Sequence, residues 1–373
     1  MLAAGGSAGH VEPALTLADT LRAADASVDV VALGTERGIE STLIPERGYR
    51  MVAVPAHPLP RRPDRAALTA PLRIMGSIRT VTSVMRSEQP DVVVGFGGYV
   101  AFPAYLAARR LGIPFVVHEA NARPGVADRV GARLTPWVAS STEGVLPHAV
   151  RIGMPLRPAI RTLAALDDDH RAAARRDARR ELALDADRRT LLVFGGSLGA
   201  RHLNETLVQA QEELGAAGIQ VLHLVGSAGH GLPEEWPPVR GQEDPPYRSM
   251  PYLTQMHQAY AAADVVVCRA GAMTCAEVSA IGLPAVYVPL PVGNGEQELN
   301  ARPVVAAGGG LLVQDADFDV AAVCREVIPL VTDPERCADM GRAAREFAVV
   351  DADERLADMV RAAAALRGGR ARR

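Results

Sequence analysis

The chain has 373 residues, with 40 basic and 43 acidic side chains. All the basic residues are arginine, so neither a lysine Schiff base nor a Walker-type phosphate loop is available. A formal net charge of −3 argues against a dedicated nucleic-acid binder, and 48% hydrophobic with 22% charged residues is an ordinary globular balance. The length points to two domains, because single cores stop growing at roughly 250–300 residues. The four cysteines, Cys268, Cys275, Cys324 and Cys337, form no C-x-x-C pair. Neither a zinc site nor a disulfide framework is expected, and a reducing compartment fits. No apolar stretch reaches the roughly 18–20 residues of a membrane span, and no signal peptide is expected ahead of the first glycine loop.

In chain order, Val-rich runs at 28–33, 91–94, 114–117, 191–194, 221–225, 265–268 and 284–288 end at turn residues. Short apolar runs of this kind suit strands buried on both faces of a parallel sheet. A short strand is expected at 1–4. Helical stretches are expected at 12–24, 70–87, 200–214 and 273–281. The alternation predicts an α/β protein with ligands at the carboxyl ends of the strands.

The sequence nearly repeats itself. Gly5-Gly6-Ser7-Ala8-Gly9-His10 recurs half a chain later as Gly195-Gly196-Ser197-Leu198-Gly199-Ala200. Two doubly wound, Rossmann-like parallel-sheet domains facing a central cleft are the economical reading. Residues 1–155 are expected to form the first domain and 156–350 the second. Residues 156–189, rich in Arg, Asp and Ala, read as a connector running into an exposed helix. Residues 351–373 read as a terminal amphipathic helix packing back on the first domain, with a frayed basic tail at 367–373.

Three glycine clusters sit where strands should end, at 5–10, 95–99 and 195–200. Glycine permits positive φ and close backbone approach, and a following helix N-terminus attracts anions. One such cluster is compatible with a plain tight turn; three at matching places favour phosphate binding. Their spacing is not the G-x-G-x-x-G of dinucleotide folds, so NAD or FAD is a poor fit. His10 closes the first cluster at a helix start, where a histidine can titrate near neutrality or serve simply as a cap or turn residue. His118-Glu119-Ala120-Asn121 follows a strand, where polar side chains face a cleft or order a loop. The segment 269–277 forms a small-residue turn and a helix carrying Glu277, suited to ribose hydroxyls or to helix-dipole stabilisation. Gln297 and Asn300 lie near the next helix start.

These residues, together with Ile152-Gly153-Met154-Pro155-Leu156-Arg157 and Gln297-Glu298-Leu299-Asn300-Ala301, closely resemble the MurG family of peptidoglycan N-acetylglucosaminyltransferases over residues 1–365. The resemblance implies the two-domain GT-B fold. It implies an inverting transfer of N-acetylglucosamine from UDP-GlcNAc to the C4 hydroxyl of MurNAc in undecaprenyl-diphosphoryl-MurNAc-pentapeptide, lipid I, giving lipid II, with no metal and no cofactor. By position, His10 matches the proposed base. Ser7, Ala8, Gly9, Asn121, Arg157, Ser197, Leu253, Gln297 and the run Ala272, Met273, Thr274, Cys275, Ala276, Glu277 match the UDP-GlcNAc site. Glu277 would meet the ribose, the Leu253 backbone the uracil and Gln297 the sugar. Gly5, Gly6, Gly97, Gly98 and Tyr99 match the loops for the acceptor diphosphate. Ala8, Met154 and Glu296 depart from glycine, asparagine and glutamine in many relatives.

A lipid acceptor calls for a membrane face. Residues 58–86 interleave Leu59, Leu68, Leu72, Ile74, Met75 and Ile78 with Arg61, Arg62, Arg65, Arg73 and Arg79. Such a stretch suits an anionic membrane surface, or an ordinary helix packed on the sheet. A peripheral protein on the cytoplasmic face of the membrane, serving cell-wall biogenesis, cell shape and division, follows from the resemblance. The alternatives are another GT-B enzyme, such as a UDP-GlcNAc 2-epimerase or a different lipid glycosyltransferase, a nucleotide-binding oxidoreductase, and a non-catalytic sugar-nucleotide binder.

Overall fold

The computed structural model describes residues 1–55, 65–196, 199–226 and 247–371. The chain divides into two compact units, Met1–Arg157 with Val349–Arg373, and Pro158–Ala348.

In the first unit the strands are β1 Leu2–Ala3, β2 Val31–Gly34, β3 Arg50–Ala53, β4 Val93–Gly95, β5 Phe115–Glu119, β6 Val138–Ser140 and β7 Ala149–Arg151. All pair in parallel, in the order β3-β2-β1-β4-β5-β6-β7. The two-residue β1 is central. Leu2 pairs with Ala32 on one side and Val94 on the other. The Met1 ammonium donates to the Val92 carbonyl at 2.9 Å, and the Met1 carbonyl accepts from Val94 N–H. One face of the sheet packs on helix Ala8–Ala24 and helix Ala352–Ala371, through Leu17, Leu21, Leu356 and Val360. The other face packs on Gly98–Leu111 and Arg65–Glu88, through Val100, Tyr105, Val81 and Met85. The terminal helix continues through Ala371, beyond the point where fraying was expected.

The second unit holds β8 Thr190–Phe194, β9 Gln220–Leu224, β10 Tyr247–Met250, β11 Val265–Cys268, β12 Ala285–Tyr287 and β13 Leu311–Leu312. They too are parallel, in the order β10-β9-β8-β11-β12-β13. These two sheets, wrapped by helices, have the architecture of the GT-B class.

The stretch expected to be a connector is not one. It forms helices Pro158–Ala164 and Asp168–Glu181, and Ile160, Leu163, Ala178, Leu182 and Leu184 are buried in the core of the second unit. Its charge count misleads because one arginine goes inside. Arg179 is buried against Asp264 at 2.8 Å and donates to the carbonyls of Ala262 and Ala186. Asp264 in turn accepts from Thr190 N–H at 2.7 Å and so fixes the start of β8. The helix expected at 200–214 is divided into Arg201–Gln209 and Gln211–Ala216.

In each sheet the strand order reverses once, between β1 and β4 and between β8 and β11. Loops leaving the carboxyl ends of the two strands diverge there and leave a crevice, the usual ligand position in open α/β sheets.

Candidate active site

At the first reversal, β1 runs into residues 5–10 and β4 into residues 96–99. Ser7 is extended at the N-cap of helix Ala8–Ala24, and its carbonyl accepts from the His10 and Val11 N–H groups. This places His10 in the first turn. Ser7 Oγ lies 3.1 Å from His10 Nδ1. The ring also hydrogen-bonds the Gly5 carbonyl. The β4 loop closes over it. A Cβ on Gly98 would lie 2.3 Å from the Gly5 oxygen and 3.6 Å from His10 Nδ1. A Cβ on Gly97 would lie 3.3 Å from His10 Nε2. Both glycines have positive φ, 82° and 76°, so conformation and space alike require glycine. His10 is half-buried, and burial pushes its pKa down. The nearby Glu119 and Glu40 and the Gly5 carbonyl oppose that without reversing it. The result is a neutral imidazole with a proton-accepting role open to it.

Not every backbone donor in these loops is free for an anion. Gly6 N–H donates to Glu40 Oε2 at 3.1 Å, and Gly97 N–H is held by the Tyr105 oxygen. The N–H groups of Gly98 and Tyr99, at the start of helix Gly98–Leu111, have no intrahelical partner. Tyr99 is 43% exposed.

Beside them β5 ends in His118 and Glu119. His118 is 1% exposed, stands 3.1 Å from the Gly153 carbonyl through Nε2, and has no partner at Nδ1. Burial lowers its pKa to about 4, so it stays neutral. Buried Glu119 accepts from Asn121 N–H at 2.8 Å and from Gly125 N–H at 2.9 Å, which folds the loop back and holds Asn121 in place. Arg157 is half-buried at the end of the first unit, and Met154 is buried, apolar in an apolar site.

The second reversal is built from different parts. Gly195 and Gly199 admit no Cβ, which would meet Ala200 and the Val225 carbonyl at 2.3 Å each; Gly196 has φ 98° and open space. Ser197 lies outside the described residues. The helix after this loop starts at Arg201, with Ala200 as its N-cap. After β11, Gly271 caps helix Ala272–Ile281 in an extended conformation. Ala272, Met273, Thr274 and Ala276 are half-buried, whereas Cys275 and Glu277 are buried. Glu277 is 2% exposed and accepts from Tyr260 Oη at 3.0 Å. Arg269 is a brace: it donates to the Val288 and Pro289 carbonyls and pairs with Asp315 at 2.5 Å. Gln297 accepts from Ala270 and Leu290 N–H through Oε1 at 3.2 and 2.9 Å. Leu253 is half-buried against the core.

Known proteins share this chain's plan. Residues 1–140 match the N-terminal domain of glycosyltransferase family 28, and residues 190–356 its C-terminal domain. A Streptomyces coelicolor protein named UDP-N-acetylglucosamine--N-acetylmuramyl-(pentapeptide) pyrophosphoryl-undecaprenol N-acetylglucosamine transferase is 53% identical over 372 residues, covering 99% of each chain. The chain belongs to the MurG family of glycosyltransferase family 28.

A Mycolicibacterium smegmatis relative of the same name is 51% identical, covering 96% of this chain and 92% of its own. The crystal structure of Acinetobacter baumannii MurG superposes with a TM-score of 0.73 at 26% identity, over 97% of this chain and 98% of that one. A structure named as a putative UDP-N-acetylglucosamine 2-epimerase from Listeria monocytogenes has a TM-score of 0.68 at 14% identity and shares the fold alone. Beneath the MurG-family loops lie residues that the sequence reading did not single out: Glu40, Tyr105 and Asp128 in the first unit and Tyr260 in the second. Their signal was present but indirect. A glycine that must meet a side chain, such as Gly95 against Tyr105, implies a large partner somewhere else in the chain.

Proposed function

We propose that this chain transfers N-acetylglucosamine from UDP-GlcNAc to the C4 hydroxyl of MurNAc in undecaprenyl-diphosphoryl-MurNAc-pentapeptide, producing lipid II for peptidoglycan. The observation that carries this reading is His10, kept neutral by burial and clamped by Ser7, Gly5, Gly97 and Gly98 at a strand-order reversal. The acceptor C4 oxygen attacks the anomeric carbon, its proton passes to the His10 imidazole, and the bond from that carbon to the diphosphate oxygen breaks to release UDP. Inversion at the anomeric carbon follows from this single displacement.

Arg157 and the loop 195–200 receive the charge that grows on the leaving diphosphate, which preorganised donors stabilise without moving. Glu277, locked by Tyr260, takes ribose hydroxyls; the Leu253 backbone reads uracil; the Gln297 amide and the run 272–276 surround the sugar and phosphates. Ser7, Ala8, Gly9 and Asn121 border the donor. Of the acceptor loops, Gly98 and Tyr99 offer N–H groups to the lipid diphosphate, while Gly5, Gly6 and Gly97 shape the turn.

The lipid acceptor sets where the enzyme works. No described helix is long and apolar enough to cross a membrane. On helix Arg65–Glu88, Leu72 is 68% exposed and Met75 46%, beside exposed Arg73 and Arg79. Ile74 and Ile78 are half-buried on the same helix. Leu59, Arg61 and Arg62 lie outside the described residues, as do the side chains of Arg65 and Leu68. A peripheral attachment of this helix to the anionic cytoplasmic membrane surface suits those exposed groups.

The test is to incubate the protein with UDP-GlcNAc and a soluble lipid I analogue. Equal amounts of UDP and of the disaccharide product are expected. Conversion of UDP-GlcNAc alone to UDP-ManNAc, or no UDP release by folded protein, contradicts the reading.

A further inference from the structure

Asp128 stands on the short helix Val126–Gly131, directly under the two glycine loops, and is buried. Three neighbours define it. Tyr105 Oη donates to its Oδ1 at 2.7 Å. Its side chain is hydrogen-bonded to Glu119. Its Oδ2 would be 3.0 Å from a Cβ on Gly97, the same absent atom that His10 Nε2 would meet at 3.3 Å. Asp128 and His10 therefore press on one glycine from different directions. Gly97 is itself tied down by Tyr105, which Gly95 and Gly131 accommodate by lacking side chains.

Two carboxyl groups this close inside a protein do not both ionise. One proton bridges them, since like charges in a buried site repel strongly. Which of the two keeps the proton follows from the partners. Glu119 accepts from two backbone N–H groups. Asp128 accepts only one bond, from a phenol, and burial pushes its carboxyl well above the usual range. The proton belongs on Asp128.

We propose that Asp128 is a positioning residue for the transfer reaction. As a neutral acid it donates to Glu119 and accepts from Tyr105, which fixes the carboxylate that holds the Asn121 loop and leaves one negative charge, not two, beside His10. The inference rests on the reading of His10 as the base. The groups that face the His10 ring are Ser7 Oγ and the Gly5 carbonyl from its own loop, Glu40 from helix Glu40–Glu46, and His118 and Glu119 from β5. Glu119 and Glu40 raise its proton affinity, and burial, the largest effect, lowers it. A second full charge at position 128 would favour the imidazolium, and an imidazolium cannot accept the acceptor's proton.

Asparagine is the near-isostere of a protonated aspartate: its NH2 can donate to Glu119 and its carbonyl can accept from Tyr105. The experiment measures kcat/KM against pH for the full chain carrying Asp128→Asn, Asp128→Ala or Glu119→Gln, with thermal melts to confirm folding. Asp128→Asn is expected within about twofold of wild type with its acid limb unmoved, while Asp128→Ala loses about tenfold or more through the freed loop. Glu119→Gln removes the charge that raises the His10 pKa, so its acid limb moves to lower pH. A purely structural role for Asp128 would lower the melting temperature of Asp128→Ala and leave the kcat/KM of its folded protein close to wild type, which would contradict the proposal. The proposal is overturned if Asp128→Asn is as impaired as Asp128→Ala, or if Asp128→Asn shifts the acid limb to lower pH, because then the wild-type residue is charged. Asp128→Asn decides the matter even where the alanine variant does not fold. His10→Ala separates the two readings: if turnover survives in it, the base assignment fails, while the Asn-versus-Ala contrast still judges Asp128.

Discussion

The two reversal points of this molecule have the same topology and opposite furnishings. Around β1 and β4 stand several titratable side chains, among them His10, Glu40, Tyr105, His118, Glu119 and Asp128. Around β8 and β11 the loops are lined with small residues, and the charged groups are held: Glu277 accepts from Tyr260, and Arg269 is fixed by two carbonyls and Asp315. A glycine-rich βα turn is therefore not a function. In the first unit it presses a backbone onto an imidazole. In the second, Gly195 and Gly199 let the backbone pack on Ala200 and on the Val225 carbonyl. What decides between these outcomes is the set of side chains beneath the turn.

The largest effect is expected for His10→Ala, which should lower kcat by about a thousandfold or more, since a positioned base contributes roughly 10²–10⁴-fold. UDP-GlcNAc affinity measured by calorimetry should hardly change. Glu277→Ala should do the reverse, raising KM for UDP-GlcNAc by about 10- to 100-fold at near-normal kcat, the equivalent of a lost hydrogen bond to a charged group. Matched glycine changes separate the two turns. Gly98→Ala combines positive φ with a contact at 2.3 Å to the carbonyl that holds His10, whereas Gly196→Ala has the positive φ and open space. Gly196→Ala should cost about 1 kcal/mol in denaturant unfolding and Gly98→Ala several times that, with turnover falling along with it.

A smaller effect concerns acid stability. His118 and His223 are buried and neutral, with pKa values lowered to about 4 and about 3. The unfolded chain protonates these histidines near pH 6.5, before the folded chain can. Stability is therefore complete above that value and falls as the pH drops from about 6.5 toward 4, on the order of 3 kcal/mol for His118. Urea unfolding at pH 7, 6 and 5 checks this, and an increase in stability on acidification would contradict it. The two histidines also differ as the units do. His223 is partnered on both ring nitrogens by Asn204 and Tyr247, and His118 on one only.

Much of this was legible in the sequence, for physical reasons. The Val-rich runs became β2, β4, β5, β8, β9, β11 and β12 because central parallel strands are buried on both faces and carry no polar alternation. β3, β7 and β10 escaped notice because they lie at sheet edges and are partly exposed and polar; β6 and β13 are too short to form a pattern. The glycine loops were legible because close approach leaves no alternative residue. Glu40, Tyr105, Asp128 and Tyr260 were not, because each reaches its loop from a distant element, and an acid or tyrosine on an amphipathic helix carries no local mark of what it faces. Arg179 misled in the same way: its charge suggested solvent, and only the fold supplies Asp264.

On the proposed reading the first unit supplies the base and the second most of the groups that hold the donor. The most direct test compares His10→Ala and Glu277→Ala side by side, measuring UDP-GlcNAc affinity by calorimetry and single-turnover transfer at saturating donor. His10→Ala should bind like wild type and transfer almost nothing, whereas Glu277→Ala should bind weakly and transfer well once saturated. Weak donor binding by His10→Ala together with rapid transfer, or tight binding without transfer by Glu277→Ala, would contradict it.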